Sequence, residues 1–500
     1  MSKFITRLTY WFFAFISVWI FIGKVYVLSL KQMIIYIPTL AAVLFAGLLA
    51  LKKLKPYLKN IAKKLSPWQM ALAVFVLAFA ARLVTVCTLQ CDFSVHEDLS
   101  APHRFLTQLL EKGMIYKDTD YALMYGRYVS LTLFCYPWAI LFGSSYVSLG
   151  CYYALLYSLS YVAWFYIIKR YTGKSAAFYG VLFFSLLTPE VWLSNFQNHE
   201  AVLYFGITAF TWVLFDGLPR FNNKTVKLTL LLLGGVALGI GTSCNPMGYV
   251  AVIAFVLFAV AKLFKNKLNK ASVLKCAVVF LLLLSTIFST MALVSQLGNT
   301  TMLCTSYTSD RRGDKVTYGW SWYVGASYDS CGVWNLLDYE NYFPTAEKVP
   351  DDKLYDHQLS LIKERFAWYK ENPLRYAKHL FNKVSNAYGF YKDGITRTNN
   401  YGDINVSQKF IHLASMAFYC VGFLMQILLL LTFKRGEQDT VKPQLFLKLF
   451  ISGVFLLLLF IEITPKYVNY LWALMFWITL LDYKSIFQNS LLKKLHLTNN

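Results

Sequence analysis

The sequence predicts an all-α polytopic membrane protein with about 12 transmembrane helices, outer interfacial helices and a small, mainly helical extracytoplasmic domain. The chain of 500 residues is 57% hydrophobic and only 15% charged, whereas soluble domains carry about 25% charged residues. Apolar runs of about 17 to 25 residues, long enough to cross the hydrocarbon core, recur along the chain. Lysine and arginine concentrate in alternate short loops between these runs, which is typical of cytoplasmic loops.

The formal net charge of +22 does not indicate a nucleic-acid partner. In a soluble protein such an excess would favour nucleic-acid binding. Here the positive charge is spread over short loops that the positive-inside rule places in the cytoplasm. We therefore expect the lipid bilayer as a partner and no nucleic acid.

The orientation of the chain depends on how many apolar runs cross the membrane. The run from Arg127 to Gly143 is only about 17 residues long and contains Pro137. If the N-terminus is cytoplasmic and this run does not cross, every basic cluster falls on the cytoplasmic side. We therefore interpret it as an interfacial or re-entrant helix on the outer face. The apolar runs begin near Leu8, Met33, Trp68, Arg127, Tyr146, Ser175, Ala201, Val226, Met247, Val273, Phe410, Leu445 and Tyr467.

This assignment divides the chain into four regions. Residues 1–67 hold two N-terminal transmembrane helices and a basic cytoplasmic loop. Residues 68–294 form a transmembrane core with a first outer loop at 91–145. Residues 295–409 form an extracytoplasmic domain, and residues 410–500 form C-terminal transmembrane helices and a cytoplasmic tail.

The extracytoplasmic domain is predicted to be a folded module. It holds 13 of the chain's 26 acidic residues against 14 basic ones, so it is nearly neutral within a strongly basic protein. An amphipathic helix is predicted from Asp351, with a break at Asn372-Pro373 and a second helix after it. A disulfide between Cys304 and Cys331 is one option that the sequence leaves open.

The stretch "CDFSVHEDLSAPHRF" follows the span that begins near Trp68 and places carboxylates at the outer membrane surface. Neighbouring carboxylates such as Asp92, Glu97 and Asp98 raise one another's pKa and suit proton transfer. The alternative is a solvated loop in which Asp98 or Ser100 caps a helix that stops at Gly113.

Three further polar groups are predicted at the same membrane level. His199 and Glu200 stand at the head of a span, where an ionisable pair faces a cavity or simply caps the helix. Glu462 and Lys466 lie between the last two spans, where a structural ion pair is the alternative. Arg127 begins the interfacial helix, where contact with lipid phosphate is the alternative. Together these groups predict an outward-facing site at the boundary between lipid and water.

At these residues the chain resembles the GT-C superfamily of polytopic glycosyltransferases, in the protein mannosyltransferase and aminoarabinose transferase branch. "HEDLSAPHRFLTQLLEKG" resembles the acidic motif that precedes a helix ending in glycine, and Arg127 ahead of "LFG" takes the place of a lysine in the family. "NHE" resembles the family's acidic outer turn, with Glu200 in the acidic role. "LLLGGVALGIGTSCNPMG" resembles its glycine-rich span, and "EITPKYVNY" resembles its C-terminal element, with Lys466 in place of arginine.

The resemblance implies transfer of a monosaccharide, with inversion, from a polyprenyl-phosphate donor to a hydroxyl of an extracytoplasmic polymer, glycolipid or protein. The catalytic candidates are Asp98, Asp92 and Glu97, of which Asp98 or Asp92 would be the general base. The substrate-binding candidates are Arg127, His199, Glu200, Glu462 and Lys466. No cofactor and no metal is implied, and the histidines lack a recognisable ligand spacing.

Two other functions stay open at this point. A transporter or flippase of lipid-linked saccharides would favour charges or broken helices at mid-membrane, whereas the polar groups noted here crowd the outer end of the spans. A polymerase or ligase with pyrophosphate-linked donors would favour more outer arginines. The high lysine content and the lack of a clear disulfide framework in the sequence favour a bacterial plasma membrane, with the endoplasmic reticulum as the alternative. The active site is predicted to be extracytoplasmic. Neither the sugar nor the acceptor follows from the sequence.

Overall fold

The computed structural model of this chain is helical almost throughout the residues that it describes. These are residues 2–27, 38, 53, 56–89, 97–116, 126–192, 199–265, 270–303, 319–344, 347–389, 421–422, 424–429, 443–463 and 468–487. The helices are α1 Ser2–Val27, α2 Pro67–Leu89, α3 Glu97–Lys112, α4 Gly126–Phe142, α5 Tyr146–Thr172, α6 Lys174–Ser185, α7 Thr188–Trp192, α8 His199–Trp212, α9 Lys224–Cys244, α10 Gly248–Lys265, α11 Lys270–Thr301, α12 Trp320–Gly325, α13 Leu336–Tyr342, α14 Leu354–Glu371, α15 Pro373–Gly389, α16 Pro443–Phe460 and α17 Asn469–Phe487.

Within the described ranges, seven helices are long and apolar enough to cross a membrane. Two shorter apolar helices, Gly248–Phe264 and Tyr470–Asp482, accompany them. The runs that begin near Met33 and Phe410 lie largely outside the described residues. The prediction of a multi-pass helical membrane protein is therefore confirmed. The seven candidates are Phe4–Lys24, Pro67–Thr88, Tyr146–Thr172, His199–Arg220, Lys224–Cys244, Cys276–Thr301 and Pro443–Phe460.

The described chain departs from a purely helical structure at one short parallel strand pair. Strand β1 (Ile115–Tyr116) pairs with β2 (Met302–Leu303), with Ile115 opposite Met302. Strand β1 follows α3 in the first outer loop, and β2 follows the long helix α11. The pair thus joins the first outer loop to the beginning of the predicted extracytoplasmic domain.

The span predicted from Ser175 is interrupted rather than continuous. Helix α6 ends at Ser185, and the short helix α7 begins at Thr188. Pro189 lies in the first turn of α7, where proline is tolerated because its missing N–H has no helical partner to lose. The break lies just before the segment that carries His199 and Glu200.

The glycine-rich helix α9 packs closely against α8 on one side and α11 on the other. A Cβ atom on Gly206 would lie 2.5 Å from the Ala237 carbonyl oxygen, and one on Gly239 would lie 2.9 Å from the Ile287 carbonyl oxygen. Small residues allow such close backbone approach between membrane helices, where dispersion contacts replace the hydrophobic effect. This packing fixes α8, whose first turn carries the candidate site.

The two helices of the first outer loop lie against each other, α3 on α4. Helix α3 stops before Gly113, which adopts a left-handed conformation with φ +69°, as the sequence predicts for a C-terminal glycine. Helix α4 covers the run interpreted as interfacial. Its C-terminal residues Leu141 and Phe142 are exposed, consistent with a helix that lies against lipid.

We call the predicted extracytoplasmic domain, residues 295–409, the outer module. It contains the two predicted helices, α14 and α15, which meet at Asn372 and Pro373. In the same module, Trp320, Tyr323 and Tyr342 form a buried aromatic cluster. Arg365 donates to the Tyr323 carbonyl oxygen at 2.5 Å and forms an ion pair with Asp338. Cys331 in this module is a free thiol, and Cys304 lies outside the described residues.

The module contacts the end of α16 through main-chain hydrogen bonds. Glu462 N donates to Ser321 O at 2.6 Å, and Ile463 N donates to Gly332 O at 2.9 Å. Lys383 on α15 adds a side-chain contact, since its Nζ donates to Ile461 O at 2.8 Å. The outer module and the C-terminal membrane helices are therefore directly connected.

Candidate active site

The centre of the candidate site is the pair His199 and Glu200 in the first turn of α8. Both side chains are buried, and His199 Nε2 lies 3.2 Å from Glu200 Oε1. The ring of Tyr128 on α4 meets the His199 ring edge to face, with 5.6 Å between the ring centres. The buried pair thus lies in a three-dimensional site built by α4 and α8, which a simple helix cap would not require.

Arg127 reaches this site from the interfacial helix. Its guanidinium carbon lies 5.1 Å from the centre of the Tyr128 ring, the same ring that contacts His199. The side chain is half-buried. A cation that lies on an aromatic ring at a buried edge loses part of its hydration and is well placed to meet an anion.

Two tyrosines connect this pair with other helices. Tyr470, in the first turn of α17, lies within electrostatic range of Glu200. Tyr157 on α5 lies within electrostatic range of both Glu190 and Glu200. We call Arg127, Tyr128, His199, Glu200 and Tyr470 the outer cluster. It brings together two of the four predicted polar regions, Arg127 and the pair His199–Glu200, with Tyr470 from the stretch "EITPKYVNY".

Glu462 follows α16 and lies close enough to Lys383 of the outer module for an electrostatic interaction. The sequence predicts Lys466 as its partner, but Lys466 lies outside the described residues. Lys383 is buried and donates three hydrogen bonds to carbonyl oxygens, those of Gly325, Leu459 and Ile461. Sequence reasoning missed Lys383, because an amphipathic helix of a soluble module normally exposes its lysines.

The acidic stretch leads into α3, which begins at Glu97. Asp98 is therefore inside the first turn and Ser100 inside the helix, so the prediction that either residue is the N-cap is wrong. The backbone of Glu97 and Asp98 belongs to the described helix, whereas their side chains and all of Asp92 lie outside the described part. Further along α3, His103 stacks on Tyr146 with 4.3 Å between ring centres.

The described aromatic residues of "GWSWYVG", residues 319–325, do not form an open surface on which sugar rings could stack. Trp320 and Tyr323 are buried in the aromatic cluster of the outer module. Only Trp322, which is 50% exposed, is accessible among the tryptophans and tyrosines of the described part of this stretch, residues 319–325.

The sequence analysis did not predict two buried ionisable residues near the outer cluster, Arg82 on α2 and Glu190 on α7. Arg82 is 0% exposed and donates to the Tyr161 hydroxyl at 3.0 Å. The Tyr161 hydroxyl donates in turn to Glu190 Oε2 at 3.1 Å. An arginine within an apolar run is itself a signal, because charges inside membrane helices are costly and rarely lack a partner or role.

Buried charged residues also lie at the end of the bundle opposite the outer cluster. Asp216 lies in the π-helical turn Val213–Gly217 that directly follows α8. It is buried and forms an ion pair with Arg220 at 2.5 Å. Lys448 on α16 is buried and lies 3.4 Å from Asp482 on α17. By the predicted orientation both pairs lie near the cytoplasmic end, so the membrane bundle holds buried charges at both ends.

Chemically, the outer cluster combines an acceptor, a cation and an aromatic wall in one place. A buried carboxylate such as Glu200 accepts hydrogen bonds from hydroxyl groups strongly, because water competes poorly at a buried site. Arg127 supplies a permanent positive charge that suits a phosphate group. Such an arrangement is suited to binding a polyhydroxylated, phosphate-linked molecule.

Comparison with known families gives one match, to a segment that contains part of the outer cluster. The family model described as dolichyl-phosphate-mannose-protein mannosyltransferase matches residues 135–289, about a third of the chain. The matched segment includes Glu190, His199 and Glu200 together with the glycine-rich helix α9. No curated protein matches the chain significantly. The match supports, over that segment, the resemblance to GT-C glycosyltransferases of the protein mannosyltransferase branch.

Proposed function

We propose that this membrane glycosyltransferase moves a single hexose, with mannose as the first candidate, from a polyprenyl-phosphate donor to a hydroxyl of an extracytoplasmic acceptor. The observation that carries the proposal is the outer cluster, which joins α4, α8 and α17 around the buried pair His199–Glu200. His199 and Glu200 lie within the segment that matches the mannosyltransferase family. The acceptor would be a cell-wall polymer, a glycolipid or a protein, and the membrane would be a bacterial plasma membrane.

The donor phosphate would meet cations at the outer cluster. As the sugar leaves, the phosphate gains a second negative charge, which Arg127 is placed to stabilise. Lys466 would assist from the segment before α17, whose Tyr470 lies near Glu200. A lysine supplies a point charge rather than a bidentate fork, so Arg127 would carry the larger share.

The acceptor would be activated from the acidic stretch. Asp98 or Asp92 takes the proton from the acceptor hydroxyl. The neighbouring carboxylate of Glu97 raises the pKa of that base and so favours the proton transfer. The oxygen forms a bond to the anomeric carbon while the bond from that carbon to the phosphate oxygen breaks. The products are an inverted glycoside and polyprenyl phosphate. Helix α3, which carries Asp98 in its first turn, lies against α4, which carries Arg127, and this packing supports a shared site.

His199 and Glu200 would orient the sugar or the acceptor. Glu200 would accept hydrogen bonds from sugar hydroxyls, and His199 would hold the Glu200 carboxylate in place through the 3.2 Å contact. Glu462 would contribute from the end of α16, next to the outer module. Holding two reactants in the correct geometry accounts for much of the rate enhancement of group-transfer enzymes.

The test uses purified protein in vesicles with radiolabelled polyprenyl-phosphate mannose or polyprenyl-phosphate glucose. We expect loss of label from the lipid and its appearance in an added acceptor fraction. Asp98→Asn or Asp92→Asn should reduce the rate on the order of 10²- to 10⁴-fold, the usual effect of removing a general base. Asp352→Asn, at an exposed carboxylate of the outer module, is the matched control and should have no effect.

Two outcomes would contradict the proposal. Transfer that survives both acidic substitutions would exclude the assigned bases. Movement of intact labelled lipid between leaflets without cleavage of its sugar-phosphate bond would identify a flippase instead.

A further inference from the structure

The break between α6 and α7 removes a main-chain hydrogen bond from a segment that is buried in the helical bundle. In a continuous helix, the N–H of residue 189 would donate to the carbonyl oxygen of Ser185. Residue 189 is proline and has no N–H, so this bond cannot form. The N–H of Val191 donates to Leu187 O at 3.0 Å, so helical bonding resumes directly after the break.

Arg82 on α2 supplies the missing donor. Its Nη1 donates to Ser185 O at 2.8 Å, and its Nη2 donates to Glu190 O at 3.2 Å. One guanidinium therefore binds carbonyl oxygens on both sides of the break. The planar fork of arginine can do this, whereas the single ammonium of lysine cannot span both positions in the same way.

The buried charge of Arg82 is compensated by the same segment. Tyr161 accepts from Arg82 Nη2 at 3.0 Å and donates to Glu190 Oε2 at 3.1 Å. A hydroxyl thus links the guanidinium with the carboxylate. We call Arg82, Tyr161, Ser185 and Glu190 the arginine bridge.

The arginine bridge lies next to the proposed active site. Only residues 193–198 separate α7 from His199, and Tyr157 is within electrostatic range of both Glu190 and Glu200. The helix that carries Arg82 also leads into the acidic stretch. The bridge therefore joins the two chain segments that must meet for sugar transfer.

We propose that Arg82 and Pro189 are positioning residues for sugar transfer. Pro189 breaks the span, and Arg82 holds the break in one geometry, which sets where Glu200 stands relative to the acidic stretch. The inference rests on the proposed function, because positioning is meaningful only for a site that transfers sugar. It assigns a role to a buried arginine that touches neither substrate.

A double-mutant cycle separates positioning from mere stabilisation. Arg82→Met leaves two carbonyl oxygens without their donor and should lower both the melting temperature and kcat, the latter on the order of 10²-fold. Pro189→Ala restores an N–H at residue 189 that can bond to Ser185 O. In the double variant the melting temperature should therefore recover substantially, because the loss of Arg82 costs less when the helix supplies the donor.

Transfer should not recover in that double variant, because a straightened span displaces the turn before His199. Donor KM should change little, since Arg127 is untouched. Arg82→Lys should lie between Arg82→Met and the unchanged protein in both measurements. Lys448→Met, which removes a buried cation at the other end of the bundle, is the control and should lower the melting temperature without changing kcat.

Recovery of transfer together with stability in the double variant would overturn the proposal, as would full kcat in Arg82→Met. Hydrogen-deuterium exchange of the peptide covering residues 186–201 gives an answer that needs no transfer assay. Exchange should rise in Arg82→Met and stay unchanged in Lys448→Met. Unchanged exchange in both would also overturn the proposal, whereas absence of transfer in the unmodified protein would refute the proposed function alone.

Discussion

The two ends of the membrane bundle hold their buried charges in different ways. At the end assigned to the cytoplasm, cation and carboxylate meet directly, as in Asp216–Arg220 and Lys448–Asp482. At the outer end, Arg82 binds carbonyl oxygens and a hydroxyl, and Glu200 lies beside an imidazole. Direct pairs neutralise charge and stabilise the fold. The carbonyl and hydroxyl partners of Arg82 hold it in one position without a direct ion pair, and Glu200 is proposed to meet the substrate.

The largest expected effect comes from the carboxylate at the outer end. Glu200→Gln should lower the rate of sugar transfer on the order of 10³-fold, because an amide binds sugar hydroxyls more weakly and misplaces the reacting groups. The measurement is initial transfer rate from radiolabelled polyprenyl-phosphate mannose. Asp216→Asn, the matched change at the opposite end of the same span, should change that rate less than about twofold. Equal losses in the two variants would remove the distinction between the ends.

A smaller effect, on stability alone, is expected at the cytoplasmic end. Lys448→Met leaves Asp482 without its cation and should cost about 2 to 3 kcal/mol of unfolding free energy, below the value for fully buried pairs because Asp482 is partly exposed. A second change, Asp482→Leu, should restore most of that loss. Thermal unfolding in detergent measures both, and a fall in transfer rate per folded molecule would show that this pair also serves the reaction.

The cation of the outer cluster should control donor binding rather than stability. Arg127→Met should raise donor KM about tenfold, because one charge-assisted hydrogen bond to phosphate is lost. Arg127→Lys should recover part of this loss, since the family itself places a lysine there. Substrate titrations give the values, and an unchanged KM in Arg127→Met would place the donor phosphate elsewhere.

The smallest effect concerns the outer module and its pH dependence. Burial lowers the pKa of His379 from 6.5 to about 4, although its hydrogen bond to Gly325 O opposes the shift. Burial also lowers the pKa of Lys383 from 10.5 to about 7, against the influence of Glu462. The unfolded chain therefore binds more protons than the folded module between pH 4 and 6.5 and again between pH 7 and 10.5, so stability should rise with pH in both windows.

Hydrogen-deuterium exchange of residues 354–389 across this pH range measures that dependence. After correction for the intrinsic exchange rate, protection should fall as pH drops from 6.5 to 4. His379→Asn should reduce this loss of protection between pH 6.5 and 4, whereas Lys370→Met, at an exposed lysine of α14, should leave it unchanged. A loss of protection that persists in His379→Asn would assign the effect to another group.

Local signals in the sequence predict much of this structure. Gly113 ends α3 and Asn372-Pro373 separates α14 from α15, as the residue types require. The ionisable pair at the head of α8 is buried, as the sequence predicts for a pair that faces a cavity or partner. These predictions succeed because the relevant physics acts within a few residues of the signal.

The arginine bridge could not be predicted because its partners are distant in the chain. Arg82 meets Ser185 and Glu190, which lie 103 and 108 residues away. Nothing near Arg82 in the sequence identifies a proline-broken helix as its target. Lys383 was missed for a similar reason, since its carbonyl partners at Leu459 and Ile461 belong to another region.

The most direct test of the central claim is whether the acidic stretch and the outer cluster form one site. In a cysteine-free background that retains transfer activity, Asp98→Cys and Glu200→Cys are introduced together and treated with a short bifunctional thiol reagent. The account predicts cross-linking within one chain, protection by polyprenyl-phosphate mannose, and labelling of both thiols by an impermeant reagent from the outer side only. Labelling from opposite sides of the membrane, or labelling without any cross-link, would contradict it.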